Sequence, residues 1–133
     1  MGPVIARAFW GPRPESVDDG VAAIVATLRG LRELDEEHYA RWFGLGRSRK
    51  DALRREIAVD PGVITAFLTR NREGEHVFEE LGYSFYAWNG AAQDDDALSF
   101  NCCFSVTSRW VKNRVVFGLP PGLALGAPEF QRR

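Results

Sequence analysis

The stretch Leu98-Ser99-Phe100-Asn101-Cys102-Cys103-Phe104-Ser105-Val106-Thr107 alternates apolar residues with small or polar ones without a break. A period of two is the mark of a strand with one face buried and one face in water, the pattern of an antiparallel sheet. It puts Leu98, Phe100, Cys102, Phe104 and Val106 on a core face. Cys102 then reads as a core residue and Cys103 as a small surface one. Tyr83 to Asn89 before this run and Arg114 to Leu119 after it complete a three-stranded meander. The link Gly90 to Asp96 is an acidic loop rather than a tight turn.

The first half of the chain has other periods. Val4 to Trp10 is a first strand, stopped by Gly11-Pro12-Arg13-Pro14. Ser16 offers its hydroxyl to the free amides of a helix, with Asp19 near the position of a capping box. Val17, Val21, Ile24, Val25, Leu28 and Leu31 then recur at helical spacing and form one apolar stripe. Gly20 and Gly30 each cost that helix about 1 kcal/mol relative to Ala, so packing must hold it. A short second helix is expected from Glu36 to Phe43, closed by Gly44 and Gly46, and Ser48 caps a further turn or two through Asp51 to Ile57. Asp60-Pro61 starts a helix carrying Val63, Ile64, Phe67 and Leu68, with Asn71 at its end. The expected fold is α+β: an antiparallel sheet of the N-terminal strand plus the three-stranded C-terminal meander, with helices packed on one face. Phe100 and its neighbours meet Val21, Ile24, Leu28 and Phe67. Residues 1–119 read as one domain and 120–133 as an irregular Pro/Gly-rich tail.

Composition narrows the class. The chain has 133 residues, 45% hydrophobic and 26% charged, which fits one globular domain. No apolar run approaches the ~18 residues of a membrane span, and no secretory leader is visible. The two cysteines are adjacent and point to opposite faces of a strand, so no disulfide is expected between them and a reducing, cytoplasmic setting fits. The net charge of −1 hides a segregation. Seven carboxylates and no Lys or Arg lie between Glu73 and Ser108, whereas Arg41 to Glu56 holds six cations against two carboxylates. Such asymmetry steers charged partners, although a charge run is often only a solvated face.

Nothing in the sequence composes a catalytic, cofactor or metal site. His38 sits among Glu36, Glu37 and Tyr39, and His76 in Glu75-His76-Val77-Phe78-Glu79-Glu80; neither belongs to a zinc pattern. Neither cysteine has a histidine base in view. Gly44-Leu45-Gly46 ends a helix instead of opening one over a phosphate. Asp94, Asp95 and Asp96 lack the glycine and distal Glu of a calcium loop. Arg47-Ser48-Arg49-Lys50 with Arg54 and Arg55 invites a nucleic-acid reading, but the sequence pI near 6.1 speaks against direct nucleic-acid binding. An enzyme ranks last for want of a base or a nucleophile. The candidate contact residues are the acidic loop Asp94, Asp95 and Asp96, and Trp110, with Arg47 to Lys50 next in line. A small nucleic-acid-associated or regulatory adaptor is the alternative class.

Taken in order, Phe9-Trp10-Gly11-Pro12-Arg13-Pro14-Glu15-Ser16, Arg41-Trp42-Phe43, Gly46-Arg47-Ser48-Arg49-Lys50, Glu80-Leu81-Gly82 and Trp88-Asn89-Gly90 resemble the immunity protein 52 family. The resemblance spans roughly residues 7 to 119 and rests on Trp10, Gly11, Arg13, Ser16, Trp42, Phe43, Gly82, Trp88, Asn89 and Gly90, all structural in character. It implies a bacterial polymorphic toxin system, in which the protein binds and neutralises a cognate toxin with a restriction-endonuclease-like nuclease domain. It implies no catalytic residues, no cofactor and no membrane. It also implies either a short member of the family or a truncated one, since the relatives carry further strands and a helix beyond the position of Leu119.

Overall fold

The computed structural model describes residues 4–73, 82–93 and 96–120. Along the chain run β1 (Val4–Trp10), α1 (Val17–Leu34), α2 (Glu36–Tyr39), β2 (Trp42–Phe43), α3 (Arg49–Ala52), β3 (Glu56–Ile57), α4 (Pro61–Glu73), β4 (Tyr83–Trp88), β5 (Ser99–Phe104) and β6 (Asn113–Leu119). The strands form one six-stranded sheet in the order β1-β6-β5-β4-β2-β3. Every pairing is antiparallel. The expected α+β fold and its four principal strands are therefore present, with a β2–β3 hairpin added at one edge.

The local signals act as the sequence suggests at three helix starts. Ser16 Oγ accepts from the Asp19 amide at 3.0 Å, Ser48 Oγ from the Asp51 amide at 3.2 Å, and Asp60 from the Val63 amide at 3.1 Å. Each satisfies one of the amide donors that a first helical turn leaves unpaired. α4 runs past Asn71 to Glu73.

The segment from Glu36 to Ile57 departs from expectation. The helix begun at Glu36 stops at Tyr39, and Trp42-Phe43 is a strand. Trp42 points into the core between Tyr39 and Phe100, at ring distances of 6.1 and 6.2 Å. Phe43 points to the other face against Trp88, at 6.1 Å. Opposite burial of adjacent rings needs the period of a strand; a helix would turn them only about 100° apart. α3 is likewise a single turn, and Glu56-Ile57 returns as β3 opposite Phe43 and Trp42.

Residues directly opposite one another in antiparallel strands share a face. Phe85, Ala87, Phe100, Cys102, Val115 and Phe117 face the helices and meet Val21, Ile24, Leu28, Ile64 and Leu68 in one cluster. Leu98, Phe100, Cys102 and Phe104 share this cluster with Val21, Ile24 and Leu28, and Phe67 packs against it through Phe85; Val106, also expected on this face, is buried outside the cluster. On the other face, Cys103 is not the surface residue that alternation suggests: it is 4% exposed. Ser84 Oγ lies 3.3 Å away on one flank and Arg114 sits opposite on the other. Gly20 of α1 also gains a reason: a Cβ there would lie 2.1 Å from the ring of Phe104, so the glycine is the seat of that ring.

Candidate partner-binding surface

Two ends of the sheet are fastened by side-chain networks, and most of the family-like motif residues belong to them. At the end where β5 runs into β6, the alternation breaks at Ser105, whose φ of 58° lies in the left-handed region. Glu15 holds it there. The Ser105 amide donates to Glu15 Oε2 at 3.0 Å, and the Glu15 amide donates to Ser105 Oγ at 3.0 Å. Arg13 and the Trp10 indole also donate to the Glu15 carboxylate, at 3.0 and 3.4 Å. Burial alone would raise the Glu15 pKa; the Ser105 amide, with Arg13 and Trp10, outweighs it and holds the carboxyl below its ordinary 4.5. Asn113, fully buried, accepts from the Val106 amide at 2.8 Å and donates to the carbonyls of Gly11 and Val106 at 2.8 and 3.1 Å. Gly82 (φ 67°) passes so close to the Phe104 carbonyl that a Cβ would sit 2.1 Å from its oxygen.

The other end is built on Trp88-Asn89-Gly90. The Asn89 side chain makes four contacts: it donates to the carbonyls of His38 and Asp96 at 3.1 and 3.0 Å, and accepts from the amides of Leu98 and Ala91 at 3.0 and 3.4 Å. It thereby pins the β4–β5 loop to α2. Gly90, at φ 76°, lies over Phe43, where a Cβ would fall 2.4 Å from the ring. His38 is not an ordinary exposed histidine: its side chain is 22% exposed, with Nδ1 2.8 Å from Asp35 and Nε2 3.8 Å from Asp96. Glu37 and Asp96 thus line a shallow hollow of about 260 Å³ beside the loop, with His38 between Asp35 and Asp96; Glu36 turns to Arg32 of α1 at 3.2 Å. The acidic loop expected from sequence is joined by an acidic α2 that sequence did not connect to it.

Of the candidate contact residues, Asp96 lies here, and its side chain is 60% exposed. Asp94 and Asp95 lie outside the described residues, as do His76, Glu75, Glu79, Glu80 and Leu81 and the tail from 121. Trp110, 83% exposed under the Arg109 guanidinium at 5.0 Å, is in the β5–β6 loop. That is the opposite end of the six-residue strand β5, about 20 Å away at ~3.3 Å per residue. Asp96 and Trp110 therefore belong to two surfaces. The basic segment does join the acidic end: Arg49 donates to the Ala92 carbonyl. Sequence reasoning also missed Glu15, Asn113 and Ser105 as a fastening. Their partners are up to 102 residues away, and only the polar Asn113 at the start of an apolar strand hinted at a role.

The reactive side chains are structural in their surroundings. Burial pushes the Cys102 thiol up to about 12, so it remains protonated. Among the described residues, no group of three or more His, Cys, Asp or Glu is placed to hold a metal ion. None of the described helices is long and apolar enough to cross a membrane. Fold and side-chain networks define an α+β protein with helices on one sheet face and loops fastened by hydrogen bonds at both ends.

The chain belongs to the immunity protein 52 family, whose model matches residues 4–121. No curated protein and no solved structure matches it. Membership gives the protein an immunity role, exercised on a toxin protein that it binds, and points away from catalysis.

Proposed function

We propose that the protein neutralises a nuclease toxin of a polymorphic toxin system by direct binding in the cytoplasm, led by its acidic end. A nuclease cleft is basic because it grips phosphates. Glu37 of α2 and Asp96 of the loop that Asn89 holds in place line one hollow, and Asp94 and Asp95 precede Asp96 in the sequence. A preformed acidic surface accelerates encounter with such a cleft and loses little entropy on docking. The observation that carries the reading is the pinning of this loop against acidic α2. Protection of a cell calls for nanomolar binding or better, about 12 kcal/mol.

The test is calorimetry of the purified protein with the C-terminal domain of the toxin encoded beside it, alongside a DNA-cleavage assay. The expected result is a stoichiometric complex and loss of cleavage. No heat and undiminished cleavage would refute it.

A further inference from the structure

β4 lies inside the sheet only in name. Its partner on the outer flank, β2, meets it at a single pair, Phe43 with Trp88. Among the described residues no strand takes up the flank of Ser84–Ala87 on the side away from β5. The space beside it is a groove of about 520 Å³ between the β2–β3 hairpin, α4 and Tyr86. α4 presents Val63, Phe67 and Arg70 to it, residues four and three apart and hence on one helical stripe. Leu45 of the hairpin loop lines it too and is 68% exposed. An unpaired strand flank beside exposed apolar side chains is a template for another strand.

Charge says what kind of strand. Glu56, the groove's carboxylate among the described residues, is already held by Arg41 through bonds of 3.0 and 2.7 Å. Arg55 is held by Asp51 through one long contact of 3.4 Å, and Arg70 has no ion-pair partner among the described residues. The groove is therefore mixed, with an apolar strip of Leu45, Val63 and Phe67 beside a cationic surplus. It is also continuous with the acidic end, because Phe43, which precedes Gly44 at its wall, lies under Gly90 of the β4–β5 loop.

We propose that this groove takes an extended segment of the toxin as an added strand along Ser84–Ala87, its apolar side chains against Leu45, Val63 and Phe67 and a carboxylate at Arg70. The inference rests on the toxin-binding reading and adds a second contact to it, of opposite charge to the acidic loop. The experiment compares wild type, Val63→Glu and Arg70→Glu in titrations with the neighbouring toxin's C-terminal domain, with amide hydrogen exchange read at residues 84–87. Both substitutions are at exposed helix positions, and thermal melting confirms that each variant is folded. The expected results are affinity lowered about tenfold or more in each variant and slowed exchange at 84–87 in the wild-type complex. Wild-type complex formation with unchanged exchange there and unchanged variant affinities overturns the groove inference and leaves the toxin-binding reading standing. Absence of any wild-type complex overturns both. Self-association of the protein alone, abolished by Val63→Glu, would assign the groove to a second copy and overturn the inference as well.

Discussion

Adding one methyl group to α1 at two positions tests how the helix is seated on the sheet. Gly20 and Gly30 both lie in α1, and on helix propensity alone each change to Ala should stabilise by about 1 kcal/mol. At Gly30 nothing lies within 4 Å of the new carbon, so most of that gain should appear. At Gly20 the new carbon would lie 2.1, 2.3 and 2.4 Å from three carbons of the Phe104 ring. Ordinary carbon contacts are about 3.5–4.0 Å, so helix or ring must give way by roughly 1.5 Å. Phe104 has little room: it is 2% exposed and stacked on Tyr83 at 5.1 Å. Overpacking of this kind costs about 1–3 kcal/mol, and here the upper part of that range applies. Net of propensity, Gly20→Ala should lose about 1–2 kcal/mol. For a chain of this length 1 kcal/mol moves Tm by about 3–4 °C. Thermal melts should therefore show Gly20→Ala lower by about 3–8 °C and Gly30→Ala higher by about 2–4 °C. In a Phe104→Leu background the cost of Gly20→Ala should shrink, because the two sites are in contact. A Gly20→Ala protein that melts above wild type would refute the packing argument.

Phe100→Ala should cost about 3–5 kcal/mol in urea unfolding, because the ring is buried amid Trp42, Phe85 and Phe117; Asn101→Ala, on the other face, should cost far less. Glu15→Gln should cost about 1.5–3 kcal/mol at pH 7 by weakening bonds made to a charged acceptor. Since folding lowers the Glu15 pKa, its contribution is present above the ordinary 4.5 and is lost as pH falls through the folded value. The urea midpoint should thus fall below about pH 4.5 in wild type, and less steeply in Glu15→Gln. Changing Asp94, Asp95 and Asp96 together to Asn should slow association with the toxin domain at low salt and flatten its salt dependence, with Tm nearly unchanged; unaltered stopped-flow kinetics would remove the loop from the encounter.

What the sequence made legible is what a short-range period or a cap can encode. The alternation around Phe100 identified β5 and its buried face, and Ser16, Ser48 and Asp60 marked three helix starts. The β2–β3 hairpin was hidden because two-residue strands are too short to show a period, and Trp42-Phe43 reads equally well as the end of a helix. Alternation also misplaced Cys103 and Ser105, since burial on the second face and a left-handed φ depend on neighbours from β4, β6 and Glu15. The acidic surface was half legible. Asp96 was named, but its meeting with His38 and α2 passes through Asn89, whose bond to the His38 carbonyl spans 51 residues.

The motif residues bear on where recognition of a particular toxin resides. Asn89 fastens a loop, Gly90 and Gly82 permit close backbone approaches, and Trp10 and Arg13 bind the Glu15 carboxylate. Trp42 fills the core, Phe43 and Trp88 pack on each other, and Ser16 caps α1. A side chain committed to holding the fold cannot change to suit a partner without destabilising the protein that presents it. Discrimination between toxins must then come from residues free of such duties. Exposed Leu45, Val63, Arg70, Asp96 and Trp110 are of that kind. The first three line the groove and Asp96 lines the hollow that shares Gly90, which lies over Phe43, whereas Trp110 is a strand's length away. A single compact partner domain engaging the acidic loop reaches the groove sooner than Trp110. Substituting Trp110 should therefore change affinity less than substituting Val63 or Arg70.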